Sequence, residues 1–136
     1  NRMKKIIFIF LIFSLTVFFA SSSYAKWTQV GSSSNGNTFY VDLDRITRHG
    51  SYVYFWYLRD FFKPNNQGYL SVKVYRQGDC DLLRTRLLSG YFYKYPMGKE
   101  TAEVKKPVKA TQRWKYVTSD SQYALVLKSV CSVKIK

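Results

Sequence analysis

Two cysteines, Cys80 and Cys131, stand 51 residues apart and constrain the fold more than any other feature of this 136-residue chain. Cys80 lies at a bend, Gln77-Gly78-Asp79-Cys80-Asp81, between two strand-like arms of the stretch from Tyr69 to Tyr95. Cys131 lies in the one convincing helical pattern of the C-terminal part. There Tyr123, Ala124, Leu127, Val130 and Cys131 share a face, at i, i+1, i+4, i+7 and i+8. A bond between the two cysteines would staple a sheet to a helix. Whether that bond forms depends on the compartment, which the first residues address.

Met3-Lys4-Lys5 is a short basic start, followed by apolar runs from Ile6 to Phe13 and from Leu15 to Ala20. Ser21-Ser22-Ser23-Tyr24-Ala25 comes next, where Ser23 and Ala25 supply the small residues of a cleavage site. These are the three parts of a secretory signal peptide. The apolar run is about 15 residues, short of the roughly 20 that span a bilayer. Residues 1–25 are therefore expected to be a signal peptide, with an uncleaved N-terminal anchor as the alternative. No cysteine lies near the cleavage site to carry a lipid. The expected location is the periplasm or the cell surface, in association with the outer membrane and without lipidation.

The remainder, residues 26–136, has the length of one domain. Without Arg2, Lys4 and Lys5 the formal charge falls from +14 to +11. Such a charge on a small domain favours anionic partners: sulfated glycans, lipid headgroups or acidic protein patches. Export argues against nucleic acid. A basic surface with no dedicated ligand is the alternative. Two cysteines allow one internal pairing, and oxidising compartments favour it. A free thiol or an intermolecular bridge are the other outcomes.

Along the chain, Lys26–Val30 and Phe39–Val41 read as short strands separated by a Ser32–Asn37 turn cluster, and Asp42–Ile46 as one helical turn. Arg48-His49-Gly50-Ser51 is expected to be a hairpin connection. Tyr52–Phe62, dense in aromatic and β-branched residues, is the strongest strand signal. Neither of its faces is plainly polar, so the outer one needs covering by a helix, a second subunit or a ligand. Leu70, Val72 and Val74 then alternate with Ser71, Lys73 and Tyr75, and Leu83, Thr85 and Leu87 with Leu82, Arg84, Arg86 and Leu88. Gly90 permits a kink, after which Tyr91, Tyr93 and Tyr95 share a side. Met97–Gln112 shows no period, Trp114–Val117 is a last short strand, and Ser119 with Gln122 fits a helix capping box. The resulting class is α+β. An antiparallel sheet of five or six strands should carry a C-terminal helix packed on one face and disulfide-linked to it.

Catalytic chemistry is missing from this pattern. The single histidine, His49, sits in a predicted turn, and nucleophilic catalysis by a Ser-His or Cys-His pair needs it beside a nucleophile. Asp42 with Asp44 and Asp79 with Asp81 occur in turn contexts where Asp is common. No metal set, cofactor loop or catalytic residue is expected, and the chain reads as a non-enzyme.

Several pieces together resemble a known family. They are Trp27, Phe39-Tyr40-Val41-Asp42 with Ile46, and the strand from Trp56 to Asp60. Ser71-Val72-Lys73, Tyr75-Arg76, Asp79-Cys80, Arg84 and Arg86, Trp114 and the Val130-Cys131 helix end complete the set. In order and spacing these resemble the surface-adhesin protein E family of small exported Gram-negative proteins. The resemblance implies an antiparallel sheet with a disulfide-held C-terminal helix, and a homodimer. It also implies binding of host extracellular-matrix proteins, such as vitronectin and laminin, through the segment around the first cysteine. The matching positions are Ser71, Lys73, Tyr75, Arg76, Arg84 and Arg86.

Two functional expectations follow. In the first, a basic, tyrosine-bearing sheet face with Lys73, Tyr75, Arg84 and Arg86 engages acidic segments of large extracellular partners. Reversing Arg84 and Arg86 to Glu is then expected to abolish capture and leave stability intact. In the second, a periplasmic envelope-associated structural protein rests a basic loop on anionic lipid headgroups or polysaccharide. Lys105, Lys106, Lys109, Arg113 and Lys115 would carry that contact.

Overall fold

Nine residues that favour extended backbone, Tyr52–Asp60, form the central strand β4 of an antiparallel sheet. The computed structural model describes residues 2–5, 26–99, 106–109 and 112–134, with Lys106 and Pro107 described in backbone only. Most of the expected signal segment, and Lys105, lie outside the described residues. The other elements are β1 (Trp27–Ser32), β2 (Thr38–Asp42), β3 (Thr47–His49), β5 (Ser71–Asp79), β6 (Arg84–Tyr93), β7 (Lys106–Pro107), β8 (Lys115–Tyr116) and a helix, α1 (Gln122–Cys131). Six strands run in the order β1-β2-β4-β5-β6-β7. Two short ones extend the sheet, β3 beside the start of β4 and β8 beside the start of β6.

Register sorts the side chains into two faces. Tyr57 stands between Val41 and Val74, and Phe55 and Val53 continue the same side. This face, with Phe39 and Val72, is the core, and α1 lays Ala124, Val126, Leu127 and Val130 upon it. Leu127 packs so closely that a Cβ on Gly78 would come within 2.6 Å of its Cδ1. Burial pushes the phenol of Tyr57 well above its usual range, with Tyr123 adding to the effect.

Cys80 and Cys131 are bonded, with their Cα atoms 5.9 Å apart, and the end of α1 is thereby pinned to the turn after β5. Arg48 completes that end by donating from Nη2 to the Cys131 carbonyl at 2.8 Å, where a helix leaves carbonyls unpaired.

Several local expectations need correction. The strand β5 runs through Gln77, Gly78 and Asp79, so the bend begins only at Cys80. Arg48 and His49 belong to β3 rather than to the hairpin connection, which is Gly50-Ser51; Gly50 takes the positive φ the turn requires. The helix is capped by Ser121, whose Oγ accepts from the Ala124 N–H, and not by Ser119. Gln122 follows the cap directly, and its side chain donates to the Ser32 carbonyl at 2.8 Å, tying α1 to β1. The apolar stripe gains Val126, while Tyr123 stays partly exposed at its edge.

Candidate functional site

The sheet face away from α1 carries the rings and cations. Along β4 it presents Tyr52, Tyr54 and Trp56, all half-buried, and β5 adds Tyr75. The Tyr75 ring lies 5.1 Å from Trp56 and 6.5 Å from Tyr54, and Arg45 reaches to 5.9 Å over Trp56. At the far end the 3-10 turn Pro96–Gly98 closes the face. Met97 N–H donates to Asp60 and Gly98 N–H to Ser71 Oγ, and Leu58 is fully buried there.

The cationic end is organised by Trp114. Its indole stacks on Tyr52 at 5.7 Å, and the guanidinium carbons of Arg84 and Arg86 sit 4.4 and 4.8 Å from its ring centroid. The two arginines differ in charge balance. Arg84 donates from Nε to the buried Asp79 carboxylate at 3.0 Å, whereas Arg86 donates to the neutral Gln77 at 2.6 Å. Arg86 has no carboxylate partner among the described residues and is the uncompensated cation of the pair.

Asp79 also accepts from the N–H groups of Asp81 and Leu82, at 3.1 Å each, and so holds the turn to Cys80 in shape. The Leu82 N–H foremost, with Arg84 and the Asp81 N–H, holds its carboxyl below the usual carboxylate range. A depressed folded pKa stabilises the protein above the unfolded value of about 3.9, and that stability is lost as pH falls through the folded pKa. Asp79→Asn is therefore expected to melt below the wild type at neutral pH, with the gap closing in strong acid. A gap that stays constant down to about pH 2 would show that the ionised carboxylate is not its source.

The six positions carried by the resemblance do not all reach this surface. Lys73, Tyr75, Arg84 and Arg86 share the face. Ser71 also points that way but is fully buried, donating to the Tyr95 carbonyl at 2.7 Å. Arg76 lies on the opposite face, because it pairs with Phe55 on the core side, and it packs over the Tyr123 ring at 5.3 Å. There it lines a cavity of about 180 Å³ with Thr85, Lys115 and Tyr123, which joins a member of the first expected set to a member of the second. Reversal of Arg84 is also no neutral test, since it would set two carboxylates together at a buried position. Trp114 and Arg45 were not among the expected binding residues. Trp114 precedes a two-residue strand, and no local period places it over β4 and β6.

Of the second set, Lys109, Arg113 and Lys115 are exposed along the β6 edge of the sheet, and Lys106 pairs through its backbone with Phe92. Among the described residues no group of three or more His, Cys, Asp or Glu could hold a metal ion. No described helix is long and apolar enough to cross a membrane.

These features define a class: a small α+β domain, stapled sheet to helix, with an arginine–tryptophan–tyrosine surface on the sheet side away from the helix. Residues 27–132 match the surface-adhesin protein E family, and the chain belongs to it. Its fold is similar to that of Haemophilus influenzae protein E. Crystal form II of that protein is 16% identical, with a TM-score of 0.60 over 82% of this chain and 91% of the other. The selenomethionine form gives 17% identity and a TM-score of 0.59 over 84% and 93%. Protein E from the non-typeable bacterium gives 15% and 0.55 over 82% and 79%. At these identities the likeness is one of fold. No curated protein matches the chain.

Proposed function

We propose that this protein is an exported, non-enzymatic, adhesin-like binding protein whose open sheet face engages acidic segments of host extracellular-matrix proteins. The observation that carries the reading is Arg86, an arginine without a carboxylate partner among the described residues, held over Trp114 beside half-buried rings. A guanidinium oriented in this way offers paired donors to a carboxylate or sulfate, and the rings add contact area at little entropic cost. Family membership supports the adhesin character, and the charge of +11 on residues 26–136 supports an acidic partner.

Capture of the protein on a plate coated with matrix proteins tests this. Arg86→Glu combined with Tyr75→Ala is expected to weaken capture by about tenfold or more, as loss of central anchors does. The Tm should stay close to that of the wild type, because neither residue is fully buried and Arg86 pairs with a neutral partner. Unchanged capture would reject the face.

The second reading, an envelope-associated protein resting on anionic headgroups or polysaccharide, is favoured by the exposure of Lys109, Arg113 and Lys115 along one edge. It gains if capture survives the face substitutions and falls with Lys109→Glu and Lys115→Glu instead.

A further inference from the structure

A second cluster sits at the opposite end of the sheet from Trp114, where the turn after β1 meets the chain leaving β4. A cleft of about 490 Å³ opens there, lined by Asn35, Asn37, Asn65, Arg59 and Lys63 together with Phe61 and Phe62. That volume falls within the roughly 300–1,000 Å³ of small-molecule sites.

The hydrogen-bonding character of the cleft is one-sided. Asn37 Oδ1 accepts from the Phe62 N–H at 3.0 Å, and Asn35 Oδ1 accepts from the Asn37 N–H at 3.4 Å. Asn65 Oδ1 accepts from the Gln67 and Tyr69 N–H groups at 3.0 and 2.9 Å. Backbone N–H groups, joined at Asn35 by the Ser33 hydroxyl, thus hold all three amide oxygens, and each side chain keeps its NH2 group as a donor for a ligand. Arg59 and Lys63 are donors only, and among the described residues no carboxylate lines the cleft.

Arg59 is held rather than free to swing. Its guanidinium carbon lies 5.5 Å from the ring centroids of both Phe39 and Phe61, and its buried Nε has no hydrogen-bond partner among the described residues. Phe62, which also lines the cleft, is 69% exposed. Its ring also rests against Gly36, where an added Cβ would come within 3.0–3.3 Å of it. A rigid cation, a row of amide donors and an exposed ring together require three things of a ligand. It must carry a negative charge, several closely spaced acceptor oxygens and a flat C–H face.

We propose that this cleft binds an acidic monosaccharide unit. The carboxylate or sulfate lies on Arg59 and Lys63, the sugar oxygens accept from the asparagine amides, and the C–H face of the ring packs on Phe62. The site is independent of the Arg86 face. Tyr52 and Arg59 are seven positions apart on β4, which at about 3.3 Å per residue places the two sites more than 20 Å from each other.

Titration of the full chain with glucuronic acid, N-acetylglucosamine 6-sulfate, glucose, inorganic sulfate and a short acidic peptide, followed by amide chemical shifts, tests the proposal. Both acidic sugars are expected to shift the amides of residues 35–37 and 61–65 saturably. Glucose, sulfate and the peptide should bind about tenfold more weakly or not at all. Phe62→Ala and Lys63→Gln, both at exposed positions, should each weaken the acidic sugars severalfold with the Tm unchanged, whereas Arg86→Glu should leave their binding intact. Absence of saturable shifts, peptide or sulfate binding as tight as the sugars, or indifference to both cleft substitutions would overturn it. Survival of the cleft result, with matrix capture unchanged by Arg86→Glu and Tyr75→Ala, would leave this site standing and reject the other.

Discussion

Replacing Cys80 and Cys131 together by alanine is expected to lower stability by about 4 kcal/mol, the chain-entropy value for releasing a loop of this length. Against a total of roughly 5–15 kcal/mol for a domain, that is a large share. For a chain of about 100 residues it corresponds to a fall in Tm of roughly 15–30 °C, since each kcal/mol moves Tm by about 4–8 °C. The physical reason lies in how little else holds α1. Four buried side chains, Ala124, Val126, Leu127 and Val130, meet the sheet from a helix of ten residues. Such a helix is too short to persist alone in water. The bond pins its last residue to the turn after β5, while Gln122 ties its first to β1. Reduction of the wild type should reproduce the same shift and leave the double variant unaffected. A fall below about 5 °C would mean that packing holds the helix and the bond adds little.

The second large effect is expected at the contact between Leu127 and Gly78. Leu127 is 1% exposed, and Leu127→Ala should cost about 3 kcal/mol, within the range for buried leucines. Gly78→Ala acts from the other side of the same contact. The new Cβ would lie 2.6 Å from Leu127 Cδ1 and 3.0 Å from Val53 Cγ2. Relief of glycine's backbone entropy contributes roughly 0.5–1 kcal/mol in favour of alanine in a strand. Overpacking in a closed core costs about 1–3 kcal/mol, so the clash should win. The decisive measurement is the double variant. With Leu127 shortened, the added methyl fills part of the space, and the combined loss should fall short of the sum by about 1 kcal/mol. Strict additivity in urea unfolding would show that the two residues do not share a contact.

Much of the fold could be read along the chain because the relevant signals are local. β4 announces itself by residue type, and the alternation in β5 correctly separates Val72 and Val74 from Lys73 and Tyr75. Asp42 opens its 3-10 turn by accepting from the Asp44 N–H, the bond that Asp favours in such turns. The α1 stripe also follows from spacing in Ala124, Leu127 and Val130, but spacing missed Val126 and included the partly exposed Tyr123. The candidate site was less legible. Charge and tyrosine content point to β5 and β6, but a residue's neighbours across the sheet are set by register, which no single strand encodes.

Arg76 and the bulge in β6 show where that boundary falls. In sequence Arg76 adjoins Tyr75 and looks like part of one cationic surface; the pleat sends it to the helix side, against Tyr123. Between Tyr75 and Arg76 the pairing with β6 slips, so that they face Ser89 and Leu87 and Leu88 is left without an opposite residue. That single extra residue reverses the parity of the strand. Because of it Arg84 and Arg86 share a face with Tyr91 and Tyr93, which unbroken alternation would send to opposite sides. The amino-acid order by itself determined which segments extend and which one coils, because both depend on side chains within a few residues, and its two cysteines left a single internal pairing. Only the tertiary structure decided which cations stand beside which rings, because strand pairing, the bulge and the placement of Trp114 join residues far apart in the chain.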